Sequence, residues 1–271
     1  MGTSGSFGGS GGTDAKDLRD NIAGWLDGDG GGFEGVDGGD DGDSDGAGAS
    51  TQSSLRGASN AGGPKIDLGP AVRLLFDSHD RRGGGGGGGG GRSSGGVTRS
   101  VGRISRTAGR AGSLALAYSA ANRATLERAG LNYDELRALD PVAVGIRIVE
   151  AAFEAKADST LANAEERDIA AEVVSWILEH PADRAPSPEE VVRKTIETTI
   201  AETALTEIAA SLYEKGASRA ERQSVEQQIR DVAAEYAAQA NLSIMGASEQ
   251  EMATAVETGI RDIGIIFGVS P

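Results

Sequence analysis

The sequence predicts an all-α fold confined to its second half, on three observations. Apolar residues there recur at three- to five-residue spacing, which lines one face of a helix, and no alternating run competes for strand. Capping residues stand before the apolar runs, as in Asp140-Pro141 and Ser187-Pro188. Glycine crowds the front instead, with 35 of the 42 glycines preceding Ser113. A core is therefore expected over residues 113–271, an all-α bundle, because glycine raises the entropy cost of ordering the chain before it. Residues 1–112 read as a long disordered tail and linker, Gly/Asp-rich at first and Gly/Arg-rich later.

In chain order, MGTSGSFGGSGG has only Phe7 as a large apolar group and reads as a tail. Within 14–26, Leu18, Ile22, Trp25 and Leu26 fall at i, i+4, i+7 and i+8 behind Thr13. A helix this short is marginal alone, so it must dock on a surface, either a partner's or its own domain's. Residues 70–77, PAVRLLFD, form a second apolar island of the same kind, and Gly83 to Gly91 make a tether behind it. Arg99, Arg103, Arg106 and Arg110 make one stripe if their segment is helical, although Gly102, Gly109 and Gly112 argue against a stable helix there.

The folded half then opens with a helix from Ser113 to Ala129 and a short one around Tyr133 to Leu139. Asp140 and Pro141 start a helix through about Ala157 with Val142, Ile146, Val149 and Phe153 inward. Asn163, with Glu166 three residues on, caps the next, which buries Ile169, Val173, Trp176 and Ile177 and stops before Pro181. The longest helix runs from Ser187 to Gly216, with a Ser187/Glu190 capping box and Val192, Ile196, Ile200, Leu205, Ile208 and Leu212 on one face. Arg219 to Ala240 turns Ile229, Val232 and Tyr236 inward, and a last helix capped by Ser248 and Glu251 carries Met252, Val256, Ile260, Ile263 and Phe267.

The net charge of −15 is unevenly distributed. Residues 1–50 hold eleven acids against Lys16 and Arg19, whereas residues 51–123 hold eleven bases against Asp67, Asp77 and Asp80. The arginine stripe could meet phosphates, which makes a nucleic-acid-binding subunit the alternative function, or it could meet the acids of a partner or of the chain's own tail. No apolar run reaches the roughly 20 residues of a membrane span, and the polar, Gly/Ser-rich start has no signal-peptide core, so a cytoplasmic protein is expected. The start fits the myristoylation pattern at Gly2 and Ser6, but the acids that follow oppose anionic lipid.

Chemistry is sparse. With no cysteine, two histidines and no nucleophile elbow, P-loop or dinucleotide fingerprint, the sequence predicts no catalytic residue, no metal site and no cofactor, and hence not an enzyme. Asp41, Asp43, Asp45 and Gly46 match the start of a calcium loop, but Gln52 stands where the closing bidentate glutamate belongs. His79 lies in the linker, and His180 suits a helix C-terminus. Glu165/Glu166 and Glu189/Glu190 read as first-turn helix acids.

The opening MGTSGSFGGSGG, the nearby Trp25-Leu26, the Gly- and Arg-rich linker over 83–112 and the helical C-terminal region together resemble the QatB family, a component of four-gene bacterial anti-phage defence systems. The resemblance implies a noncatalytic adaptor acting beside an ATPase, a QueC-like protein and a TatD-like nuclease. The QueC-like protein is the implied direct partner. Because QueC enzymes use ATP to build a modified purine base, such a partner could act on the amine of Gly2, with Thr3 and Ser4 presented beside it. Leu18, Ile22, Trp25 and Leu26 would then be the partner-docking residues.

Overall fold

The computed structural model describes residues 12–27, 65–76, 100–153, 161–242 and 246–269. Ten α-helices and a 3-10 turn at Ala182–Arg184 make up the ordered elements among them, with no strand. They are α1 Thr13–Asp27, α2 Gly69–Leu74, α3 Val101–Ser119, α4 Arg123–Arg128, α5 Tyr133–Arg137, α6 Pro141–Ala152, α7 Leu161–Glu179, α8 Pro188–Glu214, α9 Arg219–Gln239 and α10 Glu249–Ile266.

Helix α8 is the long strut of the bundle. Its 27 residues span about 40 Å at 1.5 Å per residue, and it touches α1, α2, α3, α7, α9 and α10. The Ser187/Glu190 capping box forms, and Gly216 takes the left-handed conformation (φ 67°) past the last turn. Val192, Ile196, Ile200, Ile208 and Leu212 are buried, while Leu205 is half-buried. Between them α8 also buries threonines, two of which return their hydroxyls to the helix: Thr195 donates to the Val191 carbonyl at 2.8 Å and Thr199 to that of Thr195 at 2.7 Å. Those bonds meet the cost of burying hydroxyl groups.

The packed body begins well before Ser113. Helix α3 starts at Val101, and Val101, Ile104, Ala108 and Ala111 are buried. Its glycines make the helix possible in this place. A Cβ at Gly109 would lie 2.7 Å from the Ala253 backbone nitrogen, and one at Gly112 would lie 2.9 Å from Val191 Cγ1. The propensity penalty is thus offset by close approach to α10 and α8. Helices α3 and α10 run antiparallel, with Gly102 near Glu257, Gly109 against Ala253, and Ser113 Oγ donating to the Ala247 carbonyl at 2.6 Å. The expected helix through Ala129 breaks where Ala121 adopts φ 52° and Asn122 accepts from the Thr125 amide to start α4.

Both apolar islands of the front half join the same core. Leu18, Ile22, Ile66, Leu68, Val72 and Leu75 are all buried in it, and Trp25 is 8% exposed. Polar contacts pin α1 in place: Arg73 Nε to Asp14 at 2.5 Å, the Asn21 side chain accepting from the Asp67 amide at 3.0 Å, and Arg19 within 3.9 Å of the buried Glu207.

Further differences concern α6 and α7. Helix α6 ends at Ala152, and its buried residues are Val144, Ile148, Val149 and Ala152, so Val142 and Ile146 face outward, not inward. Helix α7 begins at Leu161, which places Asn163 inside the helix and Glu165 and Glu166 beyond its first turn, where both are buried. Ile169, Val173 and Ile177 are buried, and Trp176 is half-buried against the edge of the His180 ring at 4.7 Å. His180 Nδ1 lies 2.7 Å from the Trp176 carbonyl.

Candidate functional site

Two concavities stand out, and they differ in kind. The larger, about 770 Å3, lies between α6 and α7 and is lined by Val149, Gly145, Ala171 and Leu178. Val142 (72% exposed) and Ile146 (54%) form its lip, with Leu139 (42%) exposed just before α6. Val142, Ile146 and Val149 recur at i, i+4 and i+7, which is one helical face. The opposite face of α6 buries Val144 and Ile148 in the core, so this helix is apolar on two sides, and among the described residues nothing covers Val142 and Ile146 on the second. Glu150, Asp168 and Glu179 stand around the groove with Arg167. The Arg167 guanidinium lies over the Phe153 ring at 4.7 Å, and Glu150 meets Arg147 at 3.7 Å. The rim is therefore acidic on balance.

The smaller concavity, about 230 Å3, gathers three of the four arginines of the predicted stripe: Arg103, Arg106 and Arg110, with Thr107, Glu166 and Glu249. Arg99 lies outside the described residues. The three arginines share a helical face, as their spacing predicts, yet two are already engaged. Arg103 pairs with the buried Glu166, and Arg110 Nε lies 3.7 Å from Glu249 in the first turn of α10. Arg106 is exposed and pairs with no carboxylate among the described residues. A phosphate backbone would have to displace two glutamates to use the whole row, which removes most of the counterion-release gain that four free arginines would supply.

A third cluster is structural in layout. Arg230 reaches Glu172 at 2.7 Å, Glu202 at 3.1 Å and Glu226 at 3.3 Å, and Lys194 lies 3.6 Å from Glu172 and 2.6 Å from Glu197. Burial holds the Glu202 carboxyl above its ordinary value, against the pull of Arg230. These contacts tie α7, α8 and α9 together. Among the described residues no group of acids and histidines is arranged to hold a metal ion, and no helix is long and apolar enough to cross a membrane.

Of the other sequence-predicted site residues, Gly2, Thr3 and Ser4 lie outside the described residues, as do His79 and the Asp41/Asp43/Asp45 run. Leu18, Ile22 and Trp25 are covered by the chain's own body, and Leu26 is half-buried against it. Of the two surfaces open to α1, its own domain takes it. No family model, curated protein or solved structure matches the chain. Val142 and Ile146 are the surface residues that periodicity missed. Their signal was present, since Val142, Ile146 and Val149 fall on one side of the helix and Val144 and Ile148 on the other, so the apolar residues cannot all face one way.

Proposed function

We propose that this chain is a noncatalytic adaptor subunit of a multi-protein bacterial anti-phage defence system, binding a QueC-like partner and presenting its N-terminal Gly2 to that partner for modification. The layout of tail, linker and helical body supports the reading, through its resemblance to the QatB family. One structural observation carries it furthest: α1 is bolted to the body, with Leu18 and Ile22 buried and Asp14 held by Arg73. Thr13, where α1 begins, is thus held at a defined point on the body. Thr13 lies eleven residue steps beyond Gly2 in the sequence, a span of at most about 40 Å when extended. That is far shorter than a linker of a hundred residues would permit, and it makes α1 the anchor of presentation while another surface holds the partner.

The test is deletion of residues 2–11, which leaves α1 intact. The shortened chain should melt like the full one but no longer support protection when expressed with its neighbouring genes. In parallel, intact mass of the full chain co-expressed with the QueC-like protein should show an addition at Gly2. Full protection by the shortened chain, or an unmodified Gly2 during active defence, would overturn the reading.

A further inference from the structure

We propose that the α6/α7 groove is a docking site for a basic amphipathic helix of a partner protein. This deepens the adaptor reading, and rests on it, by naming the surface that holds the partner.

A helix that spends five aliphatic side chains on two faces has one face to spare. The core takes Val144 and Ile148, whereas Val142 and Ile146 stand in water beside a trough of about 770 Å3. Water-exposed aliphatic residues scattered singly need no explanation, but here they are contiguous with Val149 and Leu178 at helical spacing. The trough is open along its lip and not enclosed, because Val142 and Ile146, which line it, are among the most exposed large apolar residues described. Such a shape suits an element laid lengthwise with side chains inserted at i, i+3/i+4 and i+7. Helix α6 is twelve residues long, about 18 Å, which matches two to three turns of an incoming helix.

Charge selects among occupants. Glu150, Asp168 and Glu179 ring the trough; Arg167 is turned onto Phe153, and Arg147 lies 3.7 Å from Glu150. A second copy of this chain would set these acids against their own equivalents across a two-fold axis, and like charges at an interface disfavour the pairing. An apolar helix edged with lysine or arginine satisfies both the floor and the rim.

The probe is a pair of fluorescein-labelled synthetic helices with leucine at the anchor positions and either lysine or glutamate elsewhere, titrated against the full chain and followed by anisotropy. The Leu/Lys helix should bind saturably and at least tenfold more tightly than the Leu/Glu one. V142S/I146S, which leaves the net charge unchanged, should weaken Leu/Lys binding at least tenfold with no loss of helicity, since both residues are exposed. E150K/E179K should narrow or invert the preference between the two probes. Binding of the Leu/Lys helix that V142S/I146S leaves intact would mean general attraction to an acidic protein and would overturn the assignment. So would a concentration-dependent dimer, seen by sedimentation, that V142S/I146S dissolves, because the groove would then belong to a second copy. Neither overturning result bears on Gly2, and an unmodified Gly2 would leave groove binding standing, so the two readings fail separately.

Discussion

Replacing Gly109 with alanine tests the part of the fold that composition most strongly disfavoured. In an exposed helix the change would help, by about 1 kcal/mol, since alanine is the better helix former. In α3 the added Cβ would sit 2.7 Å from the Ala253 nitrogen, 2.8 Å from its Cα and 3.1 Å from its Cβ. Ordinary carbon contacts lie at about 3.5–4.0 Å, so α3 and α10 must separate locally by about 1 Å. The obstructing atoms are mainly main chain and cannot rotate aside, which places the cost near the upper end of the roughly 1–3 kcal/mol of overpacking. Subtracting the propensity gain leaves a net loss of about 2 kcal/mol, or about 4–8 °C in Tm for a body of this size.

Gly145→Ala is the matched control. Its Cβ would lie 3.8 Å from Leu178 Cδ1 and from Val174 Cγ1, ordinary contact distances, so the propensity gain of up to about 1 kcal/mol should survive and Tm should rise. Thermal and urea unfolding followed by far-UV circular dichroism would read both. If Gly109→Ala were as stable as the parent or more so, α3 would not lie against α10, and the segment would be the linker that its glycines suggest.

Leu18→Ala should destabilise the whole body by about 2–5 kcal/mol, as for a buried leucine anywhere in a core; an unchanged unfolding curve would mean that α1 is not seated. Arg103→Met should cost about 3–5 kcal/mol by leaving Glu166 buried without its guanidinium, whereas the double variant Arg103→Met/Glu166→Met should recover most of that loss. Acid stability should depend on the capping glutamates. Hydrogen bonds from Ser187, Ser218 and Ser248, and from the Gly246 amide in the last case, hold the Glu190, Glu221 and Glu251 carboxyls below their ordinary value of 4.5. Their contribution is therefore complete above that value and lost as pH falls through the lower folded-state values. The triple glutamine variant should flatten the acid limb of a stability–pH curve and leave less of a slope there than the parent shows.

What the sequence could and could not reveal follows from which interactions are local. Caps and periodicity are local, so the start of α8 at Ser187-Pro188, the caps at Asp140 and Ser248, and the inward faces of α8, α9 and α10 were legible from spacing alone. Glycine is locally ambiguous. In α3 its meaning depends on Ala253 and Val191, over a hundred and nearly eighty residues away, and propensity counts the penalty without the neighbour that offsets it. The docking of α1 is ambiguous in the same way, because an amphipathic stretch states that it needs a surface and not whose. Helix α6 is the informative failure. Periodicity placed Val142 and Ile146 inward because it assumes that every apolar face finds the core, and that assumption breaks when one helix carries two such faces. A face that the described core leaves uncovered is not explained by the packing of that core, and this is the gap that the proposed docking of a partner helix on Val142 and Ile146 would fill.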